Sequence, residues 1–181
     1  PVMSLLELQL ITGIAVRHKR ILKSGDVKQA FVQATLPPEE NYVLKPPPGC
    51  YLTPPNTYWL LKRTLYGLKR SPRHWYEKAV QILTKLGLSQ CKHSPCLFKG
   101  EIIKGQPPLY LGLYVDDFVY FSASDTVERE FEHQMNSLTT VEFMGNVSYF
   151  LGIRYQWRQK NGEVKVHMSQ EAFADQLIEY A

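Results

Sequence analysis

The feature that most constrains this chain is the run from Leu109 to Phe121, apolar throughout except for two adjacent carboxylates, Asp116 and Asp117. A strand with one wet face alternates apolar and polar side chains. This run does not alternate, so it is too apolar for a half-exposed strand. A two-residue reversal near Val115-Asp116 turns it into a hairpin with the carboxylates at the tip. No cation lies near them in sequence, and two carboxylates in apolar surroundings are costly to keep ionised. Something outside the hairpin must therefore hold them, and a divalent metal is the expectation.

The chain has 181 residues, 44% of them hydrophobic, enough for one full core, and no shift in composition divides it. One domain over residues 1–181 is expected. The net charge of +4 is compatible with a polyanionic partner without demanding one. Cys50, Cys91 and Cys96 are an odd number, which fits reduced intracellular thiols better than a disulfide framework. The cluster Cys91, His93 and Cys96 lacks a second ligand pair at zinc-finger spacing, which disfavours zinc. No apolar run is long enough for a membrane span and no signal peptide opens the chain. The start at Pro1, without Met, suggests a piece of a longer polypeptide.

Helical spacing of Leu5, Leu8, Thr12 and Ala15 or Val16 predicts a helix from about Met3 to Ala15, with Arg17 to Arg20 as its basic end. Gly25-Asp26-Val27 reads as a short strand presenting one carboxylate; on this segment alone Asp26 would be an ordinary turn or cap residue. From Leu36 to Asn56 prolines predict an ordered loop excursion, with only Tyr42 to Leu44 pairing as an edge strand. Tyr58 to Leu61 is another strand. Ser71 is expected to cap a helix opening at Pro72, burying Trp75, Ala79, Ile82, Leu83 and Leu86 and stopping at Gly87. Lys62, Arg63, Lys69, Arg70 and Arg73 surround its start among Tyr66 and Trp75, a setting that suits either a nucleic-acid backbone or a solvated charged turn. Ser124 or Asp125 should cap the next helix, with Val127, Phe131, Met135 and Leu138 buried. Phe143 to Asn146 reads as a turn, Val147 to Trp157 as a strand, Asn161-Gly162 as a tight reversal and Val164 to Met168 as the returning strand. Ser169 caps a last helix carrying Ala172, Phe173, Leu177 and Ile178.

This order predicts an α+β fold of the split βαβ, ferredoxin-like kind, an antiparallel sheet backed by helices. In such a sheet Asp26 and the Asp116-Asp117 tip can lie side by side. Three clustered carboxylates repel one another unless cations intervene, and hard oxygen ligands favour two Mg²⁺ or Mn²⁺ ions in a phosphoryl-transfer site.

Four ordered motifs carry a resemblance: Asp26 to Phe31, Leu65 to Tyr76, Tyr114 to Asp117 and Tyr149 to Ile153. From about Leu5 to its end the chain resembles the reverse transcriptase of copia-type long-terminal-repeat retrotransposons. The resemblance implies a polymerase palm with partial fingers, the thumb starting near residues 169–181. It makes Asp26, Asp116 and Asp117 the catalytic carboxylates, with the Val27 carbonyl a further metal ligand. Gln29 and Ala30 would face the incoming deoxynucleoside triphosphate through backbone amides. Phe31 would exclude a ribose 2′-hydroxyl, and Tyr66 would complete the nucleotide site. Gly67, Lys69, Arg70, Tyr114 and Val115 would meet template or primer, and Met144-Gly145 would open a primer-grip turn. Gly25 stands where relatives usually carry an apolar strand residue, and Ser94 where many carry Asp.

The implied partners are an RNA or DNA template with its primer, deoxynucleotides and the rest of a Pol polyprotein: fingers, thumb, RNase H and integrase. The implied setting is intracellular, in a cytoplasmic virus-like particle or the nucleus, with no membrane partner. Two other readings stay open at this stage: a catalytically inactive remnant that keeps the fold or binds nucleic acid, and a metal-dependent nuclease or cyclase. The Lys69 to Arg73 segment and Phe31 argue against the last.

Overall fold

The computed structural model describes residues 1–50, 54 and 56–179. The expected excursion from Leu36 to Asn56 includes Tyr51, Leu52, Thr53 and Pro55, which lie outside the described residues, as do Tyr180 and Ala181 of the expected thumb start. By its internal contacts the chain divides into two units, residues 1–28 with 81–181, and residues 29–80.

The first unit is built on a six-stranded sheet in the order β4-β5-β6-β7-β1-β8. Its strands are β1 (Lys23–Val27), β4 (Leu88–Cys91), β5 (Ser94–Gly100), β6 (Leu109–Tyr114), β7 (Asp117–Ser122) and β8 (Val141–Asn146), and every pairing is antiparallel. The hairpin expected from the apolar run is present as β6 and β7, with Tyr114 opposite Asp117. Val119 and Phe121 of β7 pack in one core with Leu8, Ile11 and Ala15 of α1 (Leu5–Arg17). Phe118 and Tyr120, pointing the other way, meet Phe131 of α4 (Asp125–Leu138) and Phe143. All four β7 side chains are at most 1% exposed, which explains why the run carries no polar alternation. Each contributes roughly 1.5–3 kcal/mol by leaving water.

α1 starts from Ser4 through a reciprocal capping box with Glu7. A second sheet, β11-β10-β9, completes the core on the α1 side. Its strands are β9 (Tyr149–Phe150), β10 (Ile153–Lys160) and β11 (Glu163–Ser169). Asn161 and Gly162, at φ 52° and 74°, form the expected reversal. α5 (Glu171–Glu179) follows, with Phe173, Leu177 and Ile178 exposed.

The second unit holds α2 (Ala30–Gln33), the two-stranded pair β2 (Val43–Leu44) and β3 (Trp59–Leu60), and the start of α3 (Ser71–Lys85). Hydrogen bonds from Leu36 N–H to the Lys62 carbonyl and from Thr64 N–H to the Ala34 carbonyl fasten the two sides of the excursion.

Four local expectations are corrected. Met144 and Gly145 lie in β8, not in a turn: β1 offers a free edge, and a register shift with Gly145 at φ 73° lets residues 141–146 pair along it. The strand expected over Val147 to Trp157 is broken into β9 and β10 by Leu151 and Gly152, at φ 49° and 79°. Ser71 is itself helical, and its hydroxyl donates to the Leu65 carbonyl, 2.6 Å away, because residues 65–71 form tight turns that bring that carbonyl back within reach. Leu138, in the last turn of α4, is 42% exposed, whereas Glu128 of the same helix is buried.

Candidate metal-binding edge

β1 is inserted between β7 and β8, so strands far apart in sequence share one edge. Asp26 pairs directly with Asp117 on β7 and with Glu142 on β8. Val27 N–H donates to the Asp116 carbonyl at 2.9 Å, which ties the hairpin tip to the end of β1. The reversal is tight because Val115 adopts φ 57°. A β-branched residue pays roughly 1–3 kcal/mol for that conformation, and the strain falls at the residue before the carboxylates.

One ammonium serves this edge. Lys28 Nζ lies 2.8 Å from Asp26 Oδ2 and also pairs with Glu142. The hydrogen bond to Asp26, then that to Glu142, drives the lysine pKa upward. Asp117 goes the other way from a settled carboxylate. Burial first, then repulsion from Asp116 and Asp26, raise its pKa, and Lys28 only partly offsets this. Among the described residues Lys28 thus pairs with Asp26 and Glu142, and the anion at Asp117 is left uphill.

Among the described residues no group of three or more His, Cys, Asp or Glu side chains converges as a metal cage. The donor set still fits a divalent cation. Mg²⁺ is held by one or two carboxylates together with substrate phosphate and water rather than by an all-protein cage. All donors here are hard oxygens, the deficit at Asp117 is one of positive charge, and the Lys28 ammonium already sits where a cation is favoured.

Of the other residues singled out from the sequence, Gln29 adopts φ 52° ahead of α2, and Ala30 is fully buried. Phe31 meets Tyr66 edge-on, with ring centroids 4.9 Å apart, and Tyr66 is 55% exposed. Gly67 has φ 92° and open space where a side chain would stand, and Lys69 is exposed. Arg70 Nη1 lies 2.7 Å from Glu40, whose carboxylate also meets His74 Nε2 at 3.1 and 3.2 Å. Tyr114 and Val115 are half-buried, and Met144 is 56% exposed on β8.

Sequence reasoning gave Lys28, Glu142, Glu40 and His74 no role. Lys28 carried a usable signal, since residues two apart in an extended segment share a face, so Asp26 and Lys28 were bound to meet. Glu142 carried none, because its place depends on β8 joining β1.

A sheet edge that gathers acidic oxygens short of positive charge suits a divalent cation, and likeness to known proteins shows which class of protein carries it here. The profile of the family described as reverse transcriptase (RNA-dependent DNA polymerase) matches residues 1–181, and the chain belongs to that family. It is 28% identical over 178 residues to the retrovirus-related Pol polyprotein from transposon RE1 of Arabidopsis thaliana, and 29% identical over 181 residues to that from transposon RE2 of the same plant. Each alignment covers 98% of this chain and 12% of the relative, so the chain spans about an eighth of those polyproteins. The putative transposon Ty5-1 protein of Saccharomyces cerevisiae is 28% identical over 143 residues, 79% of this chain and 45% of that protein. No solved structure matches. Among the described residues, no helix is long and apolar enough to cross a membrane.

Proposed function

We propose that the chain is the polymerase palm, with part of the fingers, of a retrotransposon Pol polyprotein, and that it transfers deoxynucleotides to a primer 3′-hydroxyl on an RNA or DNA template. Residues 1–181 act in this reading as one functional domain, with the remaining Pol domains as covalent partners. The observation that carries it is the pairing of Asp26 with Asp117 beside Asp116, at an edge with too little positive charge.

Asp26, Asp116 and Asp117 hold the divalent ions, two Mg²⁺ or Mn²⁺, with the Val27 carbonyl alongside. When bound, such ions lower the pKa of an attacking hydroxyl and neutralise a leaving pyrophosphate. The protein's own contribution is positional. The Val27 to Asp116 hydrogen bond fixes the spacing of the carboxylates, and Lys28 forms an ion pair with Asp26. Gln29, Ala30, Phe31 and Tyr66 form the deoxynucleotide site, Phe31 being held edge-on by Tyr66. Gly67, Lys69, Arg70, Tyr114 and Val115 meet template or primer, and Met144 and Gly145 of β8 contact the primer.

Primer extension on an RNA template with Mg²⁺ tests the reading, run with this chain and with one extended on both sides. Asp116→Asn should reduce extension on the order of a thousandfold or more, since it removes several kcal/mol of charge stabilisation, while primer–template binding stays measurable. An extended chain that is dead with all three carboxylates intact supports the inactive-remnant reading instead.

A further inference from the structure

We propose that the exposed face of the β10–β11 hairpin is a second nucleic-acid contact, a cationic ladder that grips the phosphate backbone of the template–primer duplex away from the carboxylate edge. It rests on the polymerase reading and adds to it a surface that none of the four motifs includes as a binding element.

The register aligns Arg154 with Ser169, Gln156 with His167, Arg158 with Lys165 and Lys160 with Glu163. Residues two apart on a strand share a face, so Arg154, Gln156, Arg158, Lys160, Lys165 and His167 stand together, and all are exposed. Arg158 directly opposite Lys165 is a like-charge pair, which destabilises a hairpin unless an anion sits over it. Among the described residues no carboxylate reaches Arg158. Among the described residues the carboxylate partners of Arg154 and Lys165 are loose and exposed, Glu171 at 3.9 Å and Glu163 at 3.6 Å. Such pairs are worth little and yield readily to phosphate.

The opposite face explains why the ladder is held in place. Tyr155 and Val164 are about 95% buried, Tyr155 stacks on Trp157, and Trp157 Nε1 donates to the Val147 carbonyl at 2.7 Å. The cations therefore project from a fixed two-stranded support, with strand spacing placing Arg158 and Lys160 roughly 7 Å apart. A protein partner would want an aromatic or aliphatic anchor at the centre of its contact. The aromatic on this face, Tyr149 opposite Arg154, stands at its margin on β9 rather than at the Arg158–Lys165 centre, which carries charge alone, and a sugar–phosphate backbone needs only charge and hydrogen bonds. Gln159, on the face of β10 opposite Arg158 and Lys160, borders the same cleft as Lys19, Arg20 and Lys23, so the hairpin's support, though not the ladder itself, reaches the Lys23 end of β1, about 10 Å of strand from Asp26.

Salt dependence of binding tests the assignment. A labelled primer–template duplex is titrated with this chain over a series of KCl concentrations, using wild type, the Arg158→Gln/Lys165→Gln pair, the swap Arg158→Lys/Lys165→Arg, and Lys104→Gln on an exposed turn elsewhere. Each phosphate contact contributes about 0.9 to the slope of log K against log[salt], so the Gln pair should flatten it by roughly 1.8. The charge-keeping swap and Lys104→Gln should leave the slope in place, and unchanged thermal melting certifies the fold. A Gln pair with the wild-type slope, or Lys104→Gln flattening it equally, overturns the ladder while leaving the polymerase reading intact. A wild-type chain that binds no duplex at any salt overturns the polymerase reading, and the ladder with it.

Discussion

The two ends of β1 treat acidic residues in opposite ways. At the Lys23 end, Glu128 is 1% exposed, yet it accepts from Ser122 N–H at 3.0 Å and from Arg20 at 3.0 Å, with Lys23 Nζ 3.1 Å from its other oxygen. Its neighbour Glu132 takes Lys23 at 3.0 Å and the Tyr120 hydroxyl at 2.6 Å, and Asp125 pairs with Arg20. Burial, and then the bond to Glu132, push the Tyr120 hydroxyl far above its ordinary range, so it stays a donor. Three acids there share two cations, a tyrosine and a backbone amide. At the Asp26 end Lys28 pairs with Asp26 and Glu142, and Asp117, beside Asp116, still has its pKa raised by burial and by its acidic neighbours. The acids at the Lys23 end are ion-paired within the fold, whereas Asp117 at the other end is left short of positive charge, which is what the proposed function requires of a group that meets a ligand.

If that contrast holds, the largest stability loss comes from the satisfied end. Glu128→Ala strips a buried acceptor from two cations and an amide and should destabilise by about 3–5 kcal/mol in urea unfolding. A loss under about 1 kcal/mol would erase the distinction between the ends.

Next in size is the packing that sets the carboxylate spacing. A Cβ on Gly25 would lie 2.4 Å from Phe118 Cζ, and that ring is wedged edge-on against Phe131 and Phe143. Gly25→Ala should therefore cost about 1–3 kcal/mol by overpacking. Adding Phe118→Leu should recover part of it, and a double-mutant cycle with no coupling would refute the account. The departure at Gly25 thus has a local reason: the large ring of Phe118 fills the space a side chain would take.

How much of this was legible depended on whether a feature was local. The unbroken Leu109 to Phe121 run announced a strand pair covered on both faces, and the Asn161-Gly162 and Gly87 signals were met because turn chemistry is local. The nearness of Asp26 to Asp117 followed from the order of elements alone. Residues 141–146 defeated the same reasoning, since Gly145 signals a turn locally while the free edge of β1 recruits the segment as a strand. Glu128 stands in the first turn of its helix, where an acid is ordinary; only Arg20 and Lys23, more than a hundred residues away, account for its burial. Pairing across such distances leaves no periodicity to read.

At the unsatisfied end, removing charge should help rather than harm the resting fold. Asp117→Asn relieves repulsion from Asp116 and Asp26, so without divalent ions it should stabilise by about 0.5–2 kcal/mol while extinguishing extension. Destabilisation of similar size in that buffer would mean the edge is balanced without a metal.

The smallest effect sharpens the comparison from the satisfied side. The hydrogen bond from Arg20, and then its charge, hold the Asp125 carboxyl below the usual range, with Lys23 and Arg129 adding to the effect. A folded value below the unfolded one means the contribution is present above the ordinary Asp range, near 3.9, and is lost as pH falls through the lower folded value. The Asp125 side chain is 68% exposed, so solvent screening keeps the whole contribution under about 1 kcal/mol. Asp125→Asn should therefore trail wild type slightly in urea unfolding near neutrality, the gap closing as pH falls through the lowered folded value and the carboxyl is protonated. Glu128, facing the same arginine from inside the core, should keep its far larger effect near neutrality. Equal deficits for the two variants there would show that burial does not separate them.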